Sequence, residues 1–154
     1  MSLEIMRGLL RDLGASIGLP DLAPDDDGYC CLRIGEHVTV SLQYEPEGQD
    51  IALFAKLCQI PQPFRREAYE MMLAGNLFWA QTRGGTLAVE PSDGVVFLLM
   101  KEKAQALEFS RFNSMLENFV EAAEDWQRRL EHLSDDLEDD AGTPPPSNDY
   151  IRLV

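Results

Sequence analysis

The chain has 154 residues, 45% of them hydrophobic, and a formal net charge of −14. This length suits one domain, and the apolar share supports a buried core and excludes disorder throughout. So acidic a surface repels nucleic acid and anionic membranes and favours a basic or apolar protein partner.

Ser2 to Ile17 reads as an amphipathic helix, because Leu3, Met6, Leu10, Leu13 and Ile17 recur at spacings of three and four. Charged residues are interspersed from Met1 to Leu13, so no basic-then-apolar leader opens the chain. Even the apolar run Val95 to Met100 is too short to span a bilayer, and the expected location is the cytoplasm with no membrane insertion. Gly14 and Gly18 weaken the last turn of the helix, and Pro20 stops it. Asp21 to Gly28 is a loop. Its Asp25-Asp26-Asp27 run lacks the alternating ligands and distal Glu of a calcium loop and reads as a solvated turn.

Tyr29 to Ile34 and His37 to Tyr44 read as strands joined at Gly35-Glu36. The second alternates, with Val38, Val40, Leu42 and Tyr44 on one face. Gln49 to Gln59 is a third strand carrying Ile51, Leu53, Ala55 and Leu57 on one face and Phe54 and Cys58 on the other. Short turns between sequential strands make an antiparallel meander. Pro61 and Pro63 break the chain before a helix from Phe64 to about Ala80, in which Met71, Met72, Leu73, Ala74, Leu77, Phe78 and Trp79 surround the axis. A helix apolar all round needs cover on two sides, and a partner subunit supplies the second economically.

Thr86 to Glu90 and Val95 to Lys103 form a second hairpin. The unbroken apolar run of its second strand predicts burial on both faces. Phe109 to Leu133 is a long helix of roughly 37 Å at 1.5 Å per residue, with Phe112, Phe119, Trp126 and Leu130 along one stripe. From Ser134 the composition turns acidic and then Pro-rich, which divides the chain into a domain over 1–134 and a disordered tail over 135–154. The tail closes on Tyr150-Ile151-Arg152-Leu153-Val154, apolar again and able to dock, although fraying at a terminus is the simpler expectation.

Catalytic motifs are missing from the sequence: no nucleophile elbow, P-loop, dinucleotide fingerprint or HExxH occurs. Cys30, Cys31 and Cys58 make an odd number without CxxC spacing, and read as reduced packing residues. His37 and His132 with scattered acids do not make a metal site, and Gly84-Gly85 follows a helix where phosphate binding needs it before one. What remains is surplus apolar surface, suited to a dimer interface, a groove for an extended ligand, or both.

Three stretches carry a family resemblance: LLRDLGASIGLPDL, MMLAGNLFWAQTRGGTLAVEPSDGVVFLL and FNSMLENFVEAAEDWQRRL. With their order, spacing and acidity, residues 3 to 133 resemble the class I type III secretion chaperones of the Tir-chaperone family. The matching positions are Leu9, Leu10, Leu13, Gly14 and Leu19, then Met71, Met72 and Asn76, then Gly85 and Leu87, and lastly Phe119 and Trp126. The bulky Phe78-Trp79 pair departs from the family, where smaller residues are common, and the tail is outside its pattern. The resemblance implies an α+β homodimer in the bacterial cytoplasm, with an antiparallel twisted sheet carrying packed helices, and neither catalysis nor a cofactor. It implies an N-terminal segment of a secreted effector as the partner, bound in extended form and kept competent for export. It also allows contact with the secretion ATPase.

The expected dimer contact is Met72, Gly75, Phe78 and Trp79. The expected effector groove is Leu10, Leu13, Ile17, Leu32, Val40 and Leu42. The alternative is a regulatory protein-binding module of the same fold acting on a folded partner, for which the acidic tail is the best support.

Overall fold

The computed structural model describes residues 2–141, with side chains from 3 to 136. Its elements run α1 (Ser2–Ile17), β1 (Tyr29–Ile34), β2 (Val38–Glu45), β3 (Asp50–Gln59), α2 (Arg65–Asn76), β4 (Thr86–Glu90), β5 (Val95–Lys103) and α3 (Phe109–Ala141). The strands form one antiparallel sheet in the order β1-β2-β3-β5-β4, so β1 and β4 are its edges.

α1 and α3 cover one face. The alternation read from β2 and β3 sends Val40, Leu42, Ile51 and Leu53 inward against Met6 and Leu10 of α1 and Phe112, Phe119, Trp126 and Leu130 of α3, all fully buried. A bulge between Lys56 and Cys58 shifts the register and turns Cys58 to the helical side, beside Leu130 and Glu131. Gly14 does more than weaken a turn. Its carbonyl accepts the Leu19 N–H at 2.8 Å, with Gly18 left-handed at φ 77°, so the chain doubles back over the helix end. A Cβ at Gly14 would stand 2.2 Å from the Leu19 carbonyl oxygen.

Three sequence expectations change. β5 is not buried on both faces: Val96 and Leu98 point into the core, but Leu99 is exposed and Phe97 half-buried. Both helices of the core lie on the other face, and Phe97 and Leu99 pair across strands with Lys56 and Phe54 instead. The apolar helix ends at Asn76 and not near Ala80, because Phe78 and Trp79 both take φ 55°, in the left-handed region. α3 runs past Leu133 to Ala141, since no Gly or Pro intervenes before Gly142 and the Ser134 hydroxyl bonds back to the Leu130 carbonyl. The rest of the tail lies outside the described residues.

Candidate functional site

The expected contact residues divide by position. Gly75 sits against the Trp126 ring and Met72 is buried in the core of its own chain, so neither is open to a partner. Phe78 and Trp79 are 82% and 56% exposed, and Leu73 and Leu77, which the candidate set omitted, are 71% and 65% exposed. Their presentation depends on the strained turn. The Trp79 carbonyl accepts the N–H groups of Thr82 (3.3 Å) and Gly84 (3.1 Å), and the Thr82 hydroxyl donates to the Gly85 carbonyl at 2.5 Å. Thr82 itself is fully buried. Two consecutive left-handed aromatic residues are costly, and the two N–H groups on the Trp79 carbonyl, with the Thr82–Gly85 bond, hold them there.

Among the groove candidates, Leu10, Val40 and Leu42 are core residues with no exposure. Leu13, Ile17 and Leu32 do come together. They line a groove of ≈ 750 Å³ between the end of α1, the strand β1 and the first half of α3. Leu19 and Leu22 after the α1 turn, and Leu116 and Val120 of α3, complete its apolar wall. Ile17 and Leu19 are half exposed. The sequence signal for Leu19 was present: a Gly in the left-handed cap is commonly followed by an apolar residue that packs back.

Polar groups rim the groove. Glu121 is paired with Arg83 at 2.7 Å, and Arg33 donates to the Glu36 carbonyl at 3.0 Å. Glu117 accepts from the Asn113 amide at 2.9 Å and has no cation beside it among the described residues.

The edge of β1 runs along this groove, and its hydrogen bonding has a definite phase. The Gly28 carbonyl accepts from Tyr44 N–H at 2.9 Å, so Gly28, Cys30, Leu32 and Ile34 turn their backbone groups toward β2. Tyr29, Cys31 and Arg33 turn theirs outward. Asp25 takes up the Tyr29 pair: its carboxylate accepts the Tyr29 N–H and its own N–H donates to the Tyr29 carbonyl, each at 2.8 Å. The acidic loop read as a plain solvated turn is thus a peg on the sheet edge. Among the described residues, nothing bonds to the backbone groups of Cys31 and Arg33, which leaves them open to an added strand. The opposite edge carries a matching peg, with the Asn76 side chain donating to the Leu87 carbonyl (3.0 Å) and accepting its N–H (2.8 Å).

Two of the three thiols, Cys30 and Cys58, are poorly placed for nucleophilic work. Burial pushes Cys58 up to about 11, with Glu131 adding to the effect. Burial raises Cys30 as well, helped by the charges of Cys31 and Asp25. A raised value lowers the thiolate fraction that attack requires.

A free strand edge beside an apolar trough is the geometry for an extended peptide. The fold is similar to that of a chain in the ExsC-ExsE complex, with TM-score 0.71 and 25% identity, covering 83% of this chain and 95% of that one. It is similar to a chain of the HopA1-SchA chaperone-effector complex, with TM-score 0.64 and 21% identity over 86% and 97% of the two chains. It is also similar to a chain of the ExoT-SpcS complex from Pseudomonas aeruginosa, with TM-score 0.60 and 23% identity over 79% and 96%. No curated protein sequence matches the chain significantly. Residues 8–127 match the sequence profile of the Tir chaperone protein family, from α1 through most of α3. The chain belongs to the Tir chaperone protein (CesT) family.

Proposed function

We propose that this protein is a chaperone for a type III secreted effector. It holds the effector's N-terminal segment in extended form along β1, keeping it soluble and ready for export. It acts without catalysis, in the bacterial cytoplasm. The observation that carries this reading is the pair of free backbone positions at Cys31 and Arg33 beside the apolar groove, in a chain of this family. The guest strand bonds to those two residues and drops apolar side chains against Ile17, Leu19 and Leu22. The acidic surface speeds encounter with basic guest segments.

The working form is a homodimer. A second copy covers Leu73, Leu77, Phe78 and Trp79, four large apolar side chains that their own chain leaves more than half exposed.

The test is co-expression with the first hundred or so residues of the product of the adjacent gene, followed by purification and light scattering. A soluble complex of two chaperone chains with one otherwise insoluble segment is expected. Recovery of the chaperone alone, across several neighbouring genes, would overturn the reading.

A further inference from the structure

An edge strand dictates two things to a strand laid against it: where hydrogen bonds form and which face each side chain takes. In β1 the two coincide. Cys31 and Arg33 turn their backbone groups outward and their side chains are exposed, whereas Cys30 and Leu32 bond to β2 and are buried. Tyr29 shares the outward face, with its hydroxyl 3.0 Å from that of Ser41. A guest residue opposite Cys31 or Arg33 therefore lies on the open face of the sheet. Its neighbours in the guest point to the helical side, into the groove. The rule is the same for a parallel and an antiparallel guest.

On that open face Arg33 has a place for a carboxylate. Its cross-strand neighbour on β2 is the neutral Thr39. Among the described residues its guanidinium donates to the Glu36 carbonyl at 3.0 Å and pairs with no carboxylate. The Glu36 side chain stands 3.6 Å from His37 instead. On the helical side the charge is reversed, because Glu117 and Glu121 of α3 line the groove.

We propose that Arg33 selects the guest at one position: an acidic residue opposite it, flanked by apolar residues that enter the groove beside Leu32 and Ile34. The idea rests on β1 being the edge that takes the effector segment. The net charge of −14 attracts basic segments as a whole, so the acid is a local exception. A lysine at the same position meets the guanidinium as a like charge directly across the strands, which is unfavourable. Such a repulsive alternative lets one guest be told from another.

The probe is a synthetic seven-residue peptide in which valine and serine alternate, with valine at both ends and glutamate in place of the central serine. A second peptide carries lysine there. Both bear fluorescein, and affinity for the full chain is read by fluorescence anisotropy. The glutamate peptide is expected to bind about two- to fivefold more tightly, the range of an opposite-charge pair across strands. Arg33→Glu is expected to reverse the order, and Arg33→Gln to abolish the preference for glutamate. Equal affinities in the wild type, or an order unchanged in Arg33→Glu, would overturn the proposal. So would failure of both peptides to bind, the result if a second copy of the chain covers β1.

Register is read by Cys31, which is exposed while Cys30 is buried. Cysteine replaces single residues of the glutamate peptide, and the mixtures are oxidised with diamide. A disulfide to Cys31 is expected from one of the two serine positions, two residues from the glutamate. Linkage from a valine next to the glutamate would overturn the register. If co-expression captures a segment but the peptides show no charge preference, Arg33 loses its role and the effector reading stands. A preference that reverses in Arg33→Glu, with no segment captured, would remove the effector reading and leave the strand site.

Discussion

Gly75 lies so close to the Trp126 ring that a Cβ there would stand 2.2 Å from Cζ2 and 2.3 Å from Cη2. The indole is fully buried, donates its N–H to the Gln81 carbonyl at 2.8 Å, and carries the Arg129 guanidinium 5.0 Å from its ring centroid. α2 is thereby fastened to α3 by backbone against ring. Gly75→Ala must push the two helices apart, at a cost of about 1–3 kcal/mol for overpacking. The urea midpoint of the variant is expected to fall with an unchanged slope. Gly75→Asp, which adds a buried charge, is expected to give an insoluble chain.

Asn76 stands in for a neighbouring strand. Asn76→Ala leaves both backbone groups of Leu87 without a partner, a loss of about 1–3 kcal/mol if water cannot replace it. Amide exchange at Leu87 is expected to quicken more than exchange at Leu98, its partner on β5. Unchanged protection at Leu87 would mean that the edge is held by something else.

The aromatic turn gives effects of opposite kind on fold and assembly. A φ of 55° at Phe78 costs that residue of order 1–3 kcal/mol and costs glycine almost nothing. Phe78→Gly is expected to keep the circular dichroism spectrum while light scattering falls to the mass of one chain. A normal dimer from a Phe78→Gly, Trp79→Gly double variant would place the interface elsewhere.

Groove and core residues on the same helix separate cleanly. Ile17 is 53% exposed and Leu10 fully buried. Ile17→Asp is expected to fold normally and to lose the co-expressed segment. Leu10→Asp puts an unpaired carboxylate in the core and is expected to unfold the chain.

Acid stability carries the signature of Asp50. Its side chain is nearly buried between Lys103 (3.0 Å) and Lys101 (3.5 Å), and the Lys103 hydrogen bond holds its carboxyl below the ordinary value. The unfolded chain therefore takes up the proton first as pH falls. The stabilisation is complete above the ordinary aspartate value of about 3.9 and disappears as pH drops through the lowered one. Urea midpoints of wild type and Asp50→Asn are expected to differ at pH 6 and to converge toward pH 2.

Most of the fold was legible because its strands and helices announce themselves by period. The alternation of Val38, Val40 and Leu42 and the stripe from Phe112 to Leu130 each gave the right element and the right buried face. Local pattern failed where one residue's surroundings decided the outcome. Phe78 and Trp79 have good apolar periodicity, and only the buried Thr82, its N–H bonded to the Trp79 carbonyl, shows why the helix stops short. The groove was half legible. Spacing put Leu10, Leu13 and Ile17 on one face of α1, but which of them sits under α3 and which beyond it is a matter of where two helices diverge. The peg at Asp25 was invisible, since four residues of loop say nothing about which carboxylate folds back onto Tyr29.

The two pegs bear on a hazard that any protein with open sheet edges faces. A sheet that accepts strands invites its own copies to join edge to edge and grow into polymers. Here Asp25 and Asn76 each block one position, and among the described residues the β1 edge is left with a gap of two, Cys31 and Arg33. So short a gap is a poor template for another rigid sheet, whose pairing needs several successive bonds. A supple strand that also fills the trough beside it gains enough to stay. The same edge can therefore take up an unfolded guest and still resist edge-to-edge growth between copies of the chain.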